Sequence, residues 1–243
     1  MTKNQNLFFS CVDSRIEDQG TMYARFHLGT FFQGHALTFA NAIRRTLLSE
    51  IPALVITDVS IAGANHEFAT LSGVEETVLE VLLNLKKLVF VPCKSKLTDL
   101  ENFQEIGFLK SRGPRKLLAK DIKLPITVKC VNPNAHIATL TTSGEFGLQF
   151  TLQIQNPHQI GKDQPSYPVD TKNRKLVLDT VPAPIRKVNY VIQELDAKQG
   201  SEYIVLEVWT DGSVLPDESL QFALKNLTNL FFGFISTTIE EKQ

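Results

Sequence analysis

A chain of 243 residues with 43% apolar and 21% charged side chains can bury a full core and has the composition of a soluble globular protein. Its 25 Lys and Arg are balanced by 26 Asp and Glu, so it lacks the basic excess with which a protein that grips nucleic acid alone displaces counterions from phosphates. Cys11, Cys93 and Cys130 are odd in number and far apart, which fits neither a disulfide framework nor paired zinc ligands and points to a reducing compartment.

The first twenty residues carry three acidic side chains and no long apolar core, so neither a secretory signal nor a transit peptide is expected. No later apolar run is long enough for a membrane span. Alternation in Thr21 to Leu28 predicts a strand. It leads into Gly34 to Ser49, reading GHALTFANAIRRTLLS, where apolar residues recur at helical spacing. At about 100° per residue, Ala36, Phe39, Ala40, Ile43, Leu47 and Ile51 share one face, with Leu37 and Leu48 at its edge. His35, Thr38, Asn41, Ala42, Arg45 and Ser49 take most of the other half. Arg45 therefore stands centrally in a polar stripe, while Arg44 projects near the apolar edge, where a guanidinium needs water or a partner. Pro52 closes the helix.

Leu54 to Ile61 is rich in β-branched residues and reads as a strand. A second helix is expected to open at a capping box of Ser72 and Glu75 and to run through Val74, Val78, Val81, Leu82 and Leu85 to Lys86 and Lys87. The six Lys or Arg between Lys110 and Lys123 read as a solvated loop, a local basic patch being the alternative. Strands are expected at Ile126 to Val131, His136 to Leu140 and Gly147 to Gln155, then at Lys175 to Asp179, Val188 to Leu195 and Tyr203 to Thr210. Asn156 to Pro168 reads as an exposed loop between the two groups. A final helix opens near Pro216, with Asp217 and Glu218 at its positive pole. Leu220, Ala223, Leu224, Leu227, Leu230 and Phe231 form one stripe along it, and Phe232 and Phe234 add apolar surface suited to core packing or to an oligomer interface.

Motifs for autonomous chemistry are missing. His66-Glu67 begins like a zinc-protease helix, but Thr70 stands where the second histidine belongs. There is no phosphate-cradling loop, nucleophile elbow or aspartate cluster, and His27, His35, His66, His136 and His158 are scattered. These absences argue against an autonomous enzyme but leave that class open, because sites assemble in space; no metal or cofactor is expected.

Four segments resemble the N-terminal domain of the RNA polymerase α subunit: GHALTFANAIRRTLLSEIP from Gly34 to Pro52, HEFATLSGVEETVLEVLLNLKKL from His66 to Leu88, PIRKVNY from Pro184 to Tyr190, and LEVWTDGSVLPDESL from Leu206 to Leu220. They follow the family's order along nearly the whole chain; Val91 to Lys120 and Asn156 to Arg174 match weakly. The resemblance implies an α+β fold in which residues 1–53 and 180–235 form a dimerisation domain of a sheet and two long helices. An inserted, mostly β domain would span 54–179, with a tail at 236–243. The arginine helix and the final helix of two chains would form the dimer core through Phe39, Ile43, Leu47, Leu220, Leu224, Leu227 and Phe231. The homodimer would be the platform on which β and β′ assemble. Arg45, with Leu48, Glu80 and Lys86, carries over as the β contact, and Arg186 and Lys187 lie on the surface offered to β′.

The resemblance further implies a non-catalytic subunit of a nucleotidyltransferase whose magnesium belongs to β′, meeting DNA only within the assembled enzyme. Ala40 and Lys87 stand where the family has glycine. The family's second, DNA-binding domain has no counterpart in these residues, which together with the divergence suggests a plastid-encoded subunit, a bacterial cytoplasmic one being the alternative. Two other classes are a free-standing dimeric scaffold, which would recover no large subunits, and an autonomous enzyme, which would be active alone.

Overall fold

The computed structural model describes residues 8–17, 20–93, 103–141, 144–157, 175–196 and 200–240. All but the first two residues of the loop expected at 156–168, His158 among them, lie outside these. In chain order the elements are β1 (Phe8–Ile16), β2 (Met22–Phe32), α1 (His35–Ser49), β3 (Ala53–Ile61), α2 (Val78–Lys86), β4 (Phe90–Pro92), β5 (Gln104–Arg112), β6 (Arg115–Leu118), β7 (Val128–Cys130), β8 (His136–Leu140), β9 (Glu145–Gln155), β10 (Leu176–Val177), β11 (Ile185–Asp196), β12 (Ser201–Thr210) and α3 (Pro216–Glu240). They divide into two compact units, one of Met1–Ile51 with Ala183–Gln243 and one of Pro52–Pro182.

The first unit is an antiparallel sheet in the order β1-β2-β12-β11, so the two ends of the chain are neighbours in one sheet. Period-two alternation sends Ala24, Phe26 and Leu28 of β2 and Ile204, Leu206 and Val208 of β12 to one buried face. Helices α1 and α3 pack with this sheet and with each other, presenting Ala36, Ala40, Ile43 and Leu47 from α1 and Leu220 and Ala223 from α3 as buried side chains. The Ala40 methyl is thus absorbed by the protomer's own core. Chain entry into α1 uses Gly34 in the left-handed region at φ 83°, and its N–H donates to the Glu202 carboxylate at 3.1 Å in place of a side-chain cap. Residues 236–240, expected as part of a tail, continue α3. Nothing between Gly233 and Glu240 is a proline or a strong turn former, so the helix has no reason to stop there.

On the opposite sheet face, registered residues of all four strands form a ladder, Arg15 beside Tyr23, Tyr23 beside Trp209 and Trp209 beside Lys187. The Arg15 guanidinium lies 4.5 Å from the Tyr23 ring centroid. The Tyr23 and Trp209 rings are 4.9 Å apart, and the Lys187 ammonium lies 4.7 Å from the Trp209 ring. In the next row Tyr23 Oη donates to Glu207 at 2.7 Å and Arg25 reaches the same carboxylate at 3.1 Å. Burial pushes the Tyr23 phenol up, and the Glu207 carboxylate adds to that. The hydrogen bond from Tyr23 outweighs burial at Glu207 and holds its carboxyl below the usual range.

The second unit is built on an antiparallel sheet in the order β10-β3-β9-β5, with β4 paired to β7 and β6 to β8. Val78, Val81, Leu82 and Leu85 of α2 join Leu109, Phe146 and Phe150 in its core. Gly107 permits the close approach of Phe150, because a Cβ there would meet that ring at 2.4 Å. The stretch Lys110 to Lys123 is not a loop: it holds the end of β5, all of β6 and a short 3-10 helix, Ala119–Asp121. Leu109, Leu117 and Ala119 are buried among its charges, and these inward positions tie it to the unit.

Helix α2 starts five residues later than Ser72 suggests. Thr77 is the N-cap and forms a complete capping box with Glu80. Residues before it are instead tied to β8: Glu75 N–H donates to Thr139 O at 3.0 Å, and the Glu76 carboxylate accepts from Thr139 N–H at 2.6 Å and Thr139 Oγ1 at 3.0 Å. His136 Nε2 lies 2.7 Å from the same carboxylate. Burial pushes the Glu76 carboxyl up, but these hydrogen bonds together hold it below the usual range. Its stabilising contribution is therefore complete above the ordinary carboxylate range and is lost as pH falls through the depressed value. Glu76→Ala is expected to cost about 1–3 kcal/mol and to flatten the acid limb of a stability-against-pH curve, measured by urea unfolding. An unchanged acid limb would contradict the clip.

Candidate subunit-interface surfaces

The α1 helix carries the largest group of sequence-predicted site residues, and the structure sorts them by burial. Ile43 and Leu47 are fully buried within one protomer, as is Leu220 of α3. The apolar arcs of α1 and α3 are taken by the protomer's own sheet and by each other, so in the single chain these three side chains present no surface of their own. Phe39 is half-buried, its ring 4.9 Å from Phe31. Leu224 and Leu227 are half-buried, and Phe231 on the following turn is 59% exposed. Leu230, Phe232, Phe234 and Ile235 are also exposed, so the distal part of α3 presents large apolar side chains to solvent in the single chain.

Arg45 is exposed near the middle of the polar stripe of α1. Its backbone carbonyl accepts from Ser49 Oγ at 2.7 Å. One turn back, Asn41 Oδ1 accepts from Tyr190 Oη on β11 at 2.7 Å, which anchors the stripe to the sheet edge. Leu48, 45% exposed, lies one turn ahead. A guanidinium with a leucine beside it on a rigid helix can fork onto a carboxylate or carbonyls while burying apolar area around the contact. Arg44 is exposed as well.

Glu80 and Lys86 belong to α2 of the second unit. Glu80 has a local role: its carboxylate accepts from Thr77 N–H at 2.8 Å and Thr77 Oγ1 at 3.0 Å. Glu80→Ala is expected to destabilise the chain by about 1 kcal/mol, read as a lower unfolding midpoint, with Glu80→Gln close to wild type. Equal loss in both variants would argue against the capping role. Lys86 is exposed in the last turn, on the outer side of α2 with Leu79 and Leu83. Those two exposed leucines were missed; the helical wheel that places Val78 and Leu82 inward leaves them outside.

Arg186 and Lys187 open β11 and are both exposed. Lys187 caps the ladder at Trp209. The Arg186 charge acts on Asp211, whose carboxyl burial pushes up, the Ser213 hydroxyl, the Ser213 N–H and Arg186 pulling the other way. Asp211 Oδ1 accepts from Ser213 N–H at 2.9 Å and so holds the turn between β12 and α3. Among the described residues, no group of three or more His, Cys, Asp or Glu stands where it could hold a metal ion. No described helix is long and apolar enough to cross a membrane.

Set beside known proteins, residues 30–231 match the RNA polymerase Rpb3/Rpb11 dimerisation domain family. The chain is 53% identical to a DNA-directed RNA polymerase subunit alpha of Chlorella vulgaris, with 96% of this chain and 97% of the relative covered. The subunit alpha of Chaetosphaeridium globosum is 38% identical, with 95% of this chain and 66% of the relative covered. That of Synechococcus sp. (strain JA-3-3Ab) is 37% identical, with 91% and 65% covered. The chain thus spans nearly all of the first relative and about two thirds of the other two. With a matched dimerisation domain over most of its length, the two-helix, four-stranded unit and an exposed apolar helix end, the chain belongs to the α-subunit family of DNA-directed RNA polymerases.

Proposed function

We propose that this chain homodimerises through the distal part of α3 together with Phe39, and that the homodimer is the platform for the β and β′ subunits. The observation that carries the reading is the exposure of Leu230 and Phe231 on a helix whose first half is built into the protomer core. A row of large apolar side chains continuing out of a core needs a second surface to cover it. Leu224 and Leu227 lie where the two environments meet.

Arg45 and Leu48 are the proposed centre of the β contact, with Lys86 a further contact from α2 and Glu80 acting mainly as a cap. Arg186 and Lys187 are the proposed charged contacts to β′. The chain contributes no catalytic group and meets DNA only within the assembled enzyme. A plastid location is supported by the algal relatives, and the cyanobacterial one keeps a bacterial cytoplasm as the alternative. The test is co-purification: a tagged chain expressed with its β and β′ subunits is expected to recover both with two copies of itself. Recovery of a dimer without either large subunit under gentle conditions would overturn the reading in favour of a free scaffold.

A further inference from the structure

Outside the surfaces just described, the second unit exposes an apolar and basic strip along β5. Alternation and Gly107 create it. With the Phe150 ring packed beneath the Gly107 backbone and Leu109 buried, Ile106 and Phe108 must face outward, where they are 47% and 50% exposed. Lys123 pairs with Phe108 across the outer edge of β5, each N–H donating to the other's carbonyl at 2.8 and 3.2 Å. Thr127 Oγ1 donates to Glu105 at 2.9 Å. Residues 123–127 therefore run alongside β5, and they bring Ile126, 92% exposed, to the same region. The edge is already covered by this segment, so what remains for a partner is side chains rather than backbone.

Charge is segregated here. Between residues 104 and 129, seven Lys or Arg stand against two acids, in a chain of net charge −1. Of the acids, Asp121 is bound by Arg115 at 2.6 Å, and Glu105 is engaged by Thr127. Arg112 is held by Glu145 at 2.5 Å. Lys110 and Lys123, on the face of Phe108, have no ion pair among the described residues. We propose that the outer face of β5, with residues 123–127, is a docking surface for an acidic segment of another protein that carries its own apolar anchors. Ile106, Phe108 and Ile126 take those anchors, and Lys110 and Lys123 take its carboxylates. Two of the three anchor sites are aliphatic, which suits apolar side chains; nucleobases are held by aromatic platforms.

The full-length chain is titrated against a fluorescein-labelled twelve-residue peptide alternating Glu with Leu and Phe, read by anisotropy. Two comparison probes are its Lys-for-Glu counterpart and a twelve-nucleotide single-stranded RNA. Saturable binding of the acidic peptide alone is expected, weakening with salt. It should fall by about tenfold or more in the Lys110→Glu, Lys123→Glu double variant and by a similar factor in Phe108→Ser. Should Phe108→Ser fold poorly by circular dichroism, Ile126→Ser carries the same test on a side chain that packs little. Equal binding by wild type and variants, no saturable binding of the acidic peptide, or tighter binding of the RNA would each overturn the proposal.

Discussion

Phe231→Asp is expected to convert the homodimer into a folded monomer, seen as a halved mass by native mass spectrometry or light scattering. The side chain is 59% exposed in the single chain, so the protomer tolerates the change. Burying a phenylalanine contributes about 1.5–3 kcal/mol, and in a two-fold dimer the substitution acts twice. Only the exposed part of the ring is left for a partner to bury, so the loss is then about 2–4 kcal/mol before the cost of burying two carboxylates, enough to raise the dimer Kd by roughly one and a half to three orders of magnitude. Ile43→Asp provides the contrast. That side chain is fully buried within the protomer, so its replacement should unfold the first unit rather than split a dimer. A dimer that persists in Phe231→Asp at micromolar concentration would remove α3 from the interface.

Arg45→Ala is expected to leave both fold and dimer intact while weakening capture of β by about 2 kcal/mol or more, roughly thirtyfold. The guanidinium is exposed and has no ion pair among the described residues, so its removal leaves no buried partner behind in the protomer. Its neighbours are fixed, since Asn41 is bonded to Tyr190 and Ser49 to the Arg45 carbonyl. A contact presented from such a rigid stripe loses little entropy on binding. Arg45→Lys should recover only part of the affinity, because an ammonium cannot fork onto a carboxylate. Arg44→Ala serves as the control and should bind nearly as wild type. Dissociation of the dimer in Arg45→Ala, by contrast, would make the residue structural.

Legibility of this chain followed the strength of its periodicities. The wheel of α1 placed Ala36, Ala40, Ile43, Leu47 and Ile51 inward, and all are buried. It missed Thr46, a polar residue buried among them. The start of α2 was misplaced because Ser72 with Glu75 and Thr77 with Glu80 have the same capping spacing. Val74 also fits the helical period; only the hydrogen bonds to Thr139, remote in sequence, decide between them. Strands β1, β4, β5 and β6 went unseen, and the reason is clearest in β5. In β5 both faces carry apolar residues, Leu109 inside with Ile106 and Phe108 outside, so no clean alternation survives. The interface residues were half legible: an apolar stripe marks a helix face to be covered, but whether its own sheet or a second chain covers it depends on tertiary packing. Ile43, Leu47 and Leu220 are buried within the protomer, and Phe231 is exposed.

The order β1-β2-β12-β11 also constrains how the molecule comes into being. Strand β2 is made early and its neighbour β12 late, with the whole of Pro52–Pro182 between them. During synthesis the second unit is complete while β2 still lacks the strand that closes its inner edge. The apolar face of β2, with Phe26 and Leu28, and the buried arc of α1 must wait until Thr210 and then α3 emerge. A nascent chain whose Pro182 has cleared the ribosome, but whose β11, β12 and α3 have not, would therefore display a folded insert attached to an unfinished, sticky N-terminal segment, the state in which a chaperone is most needed.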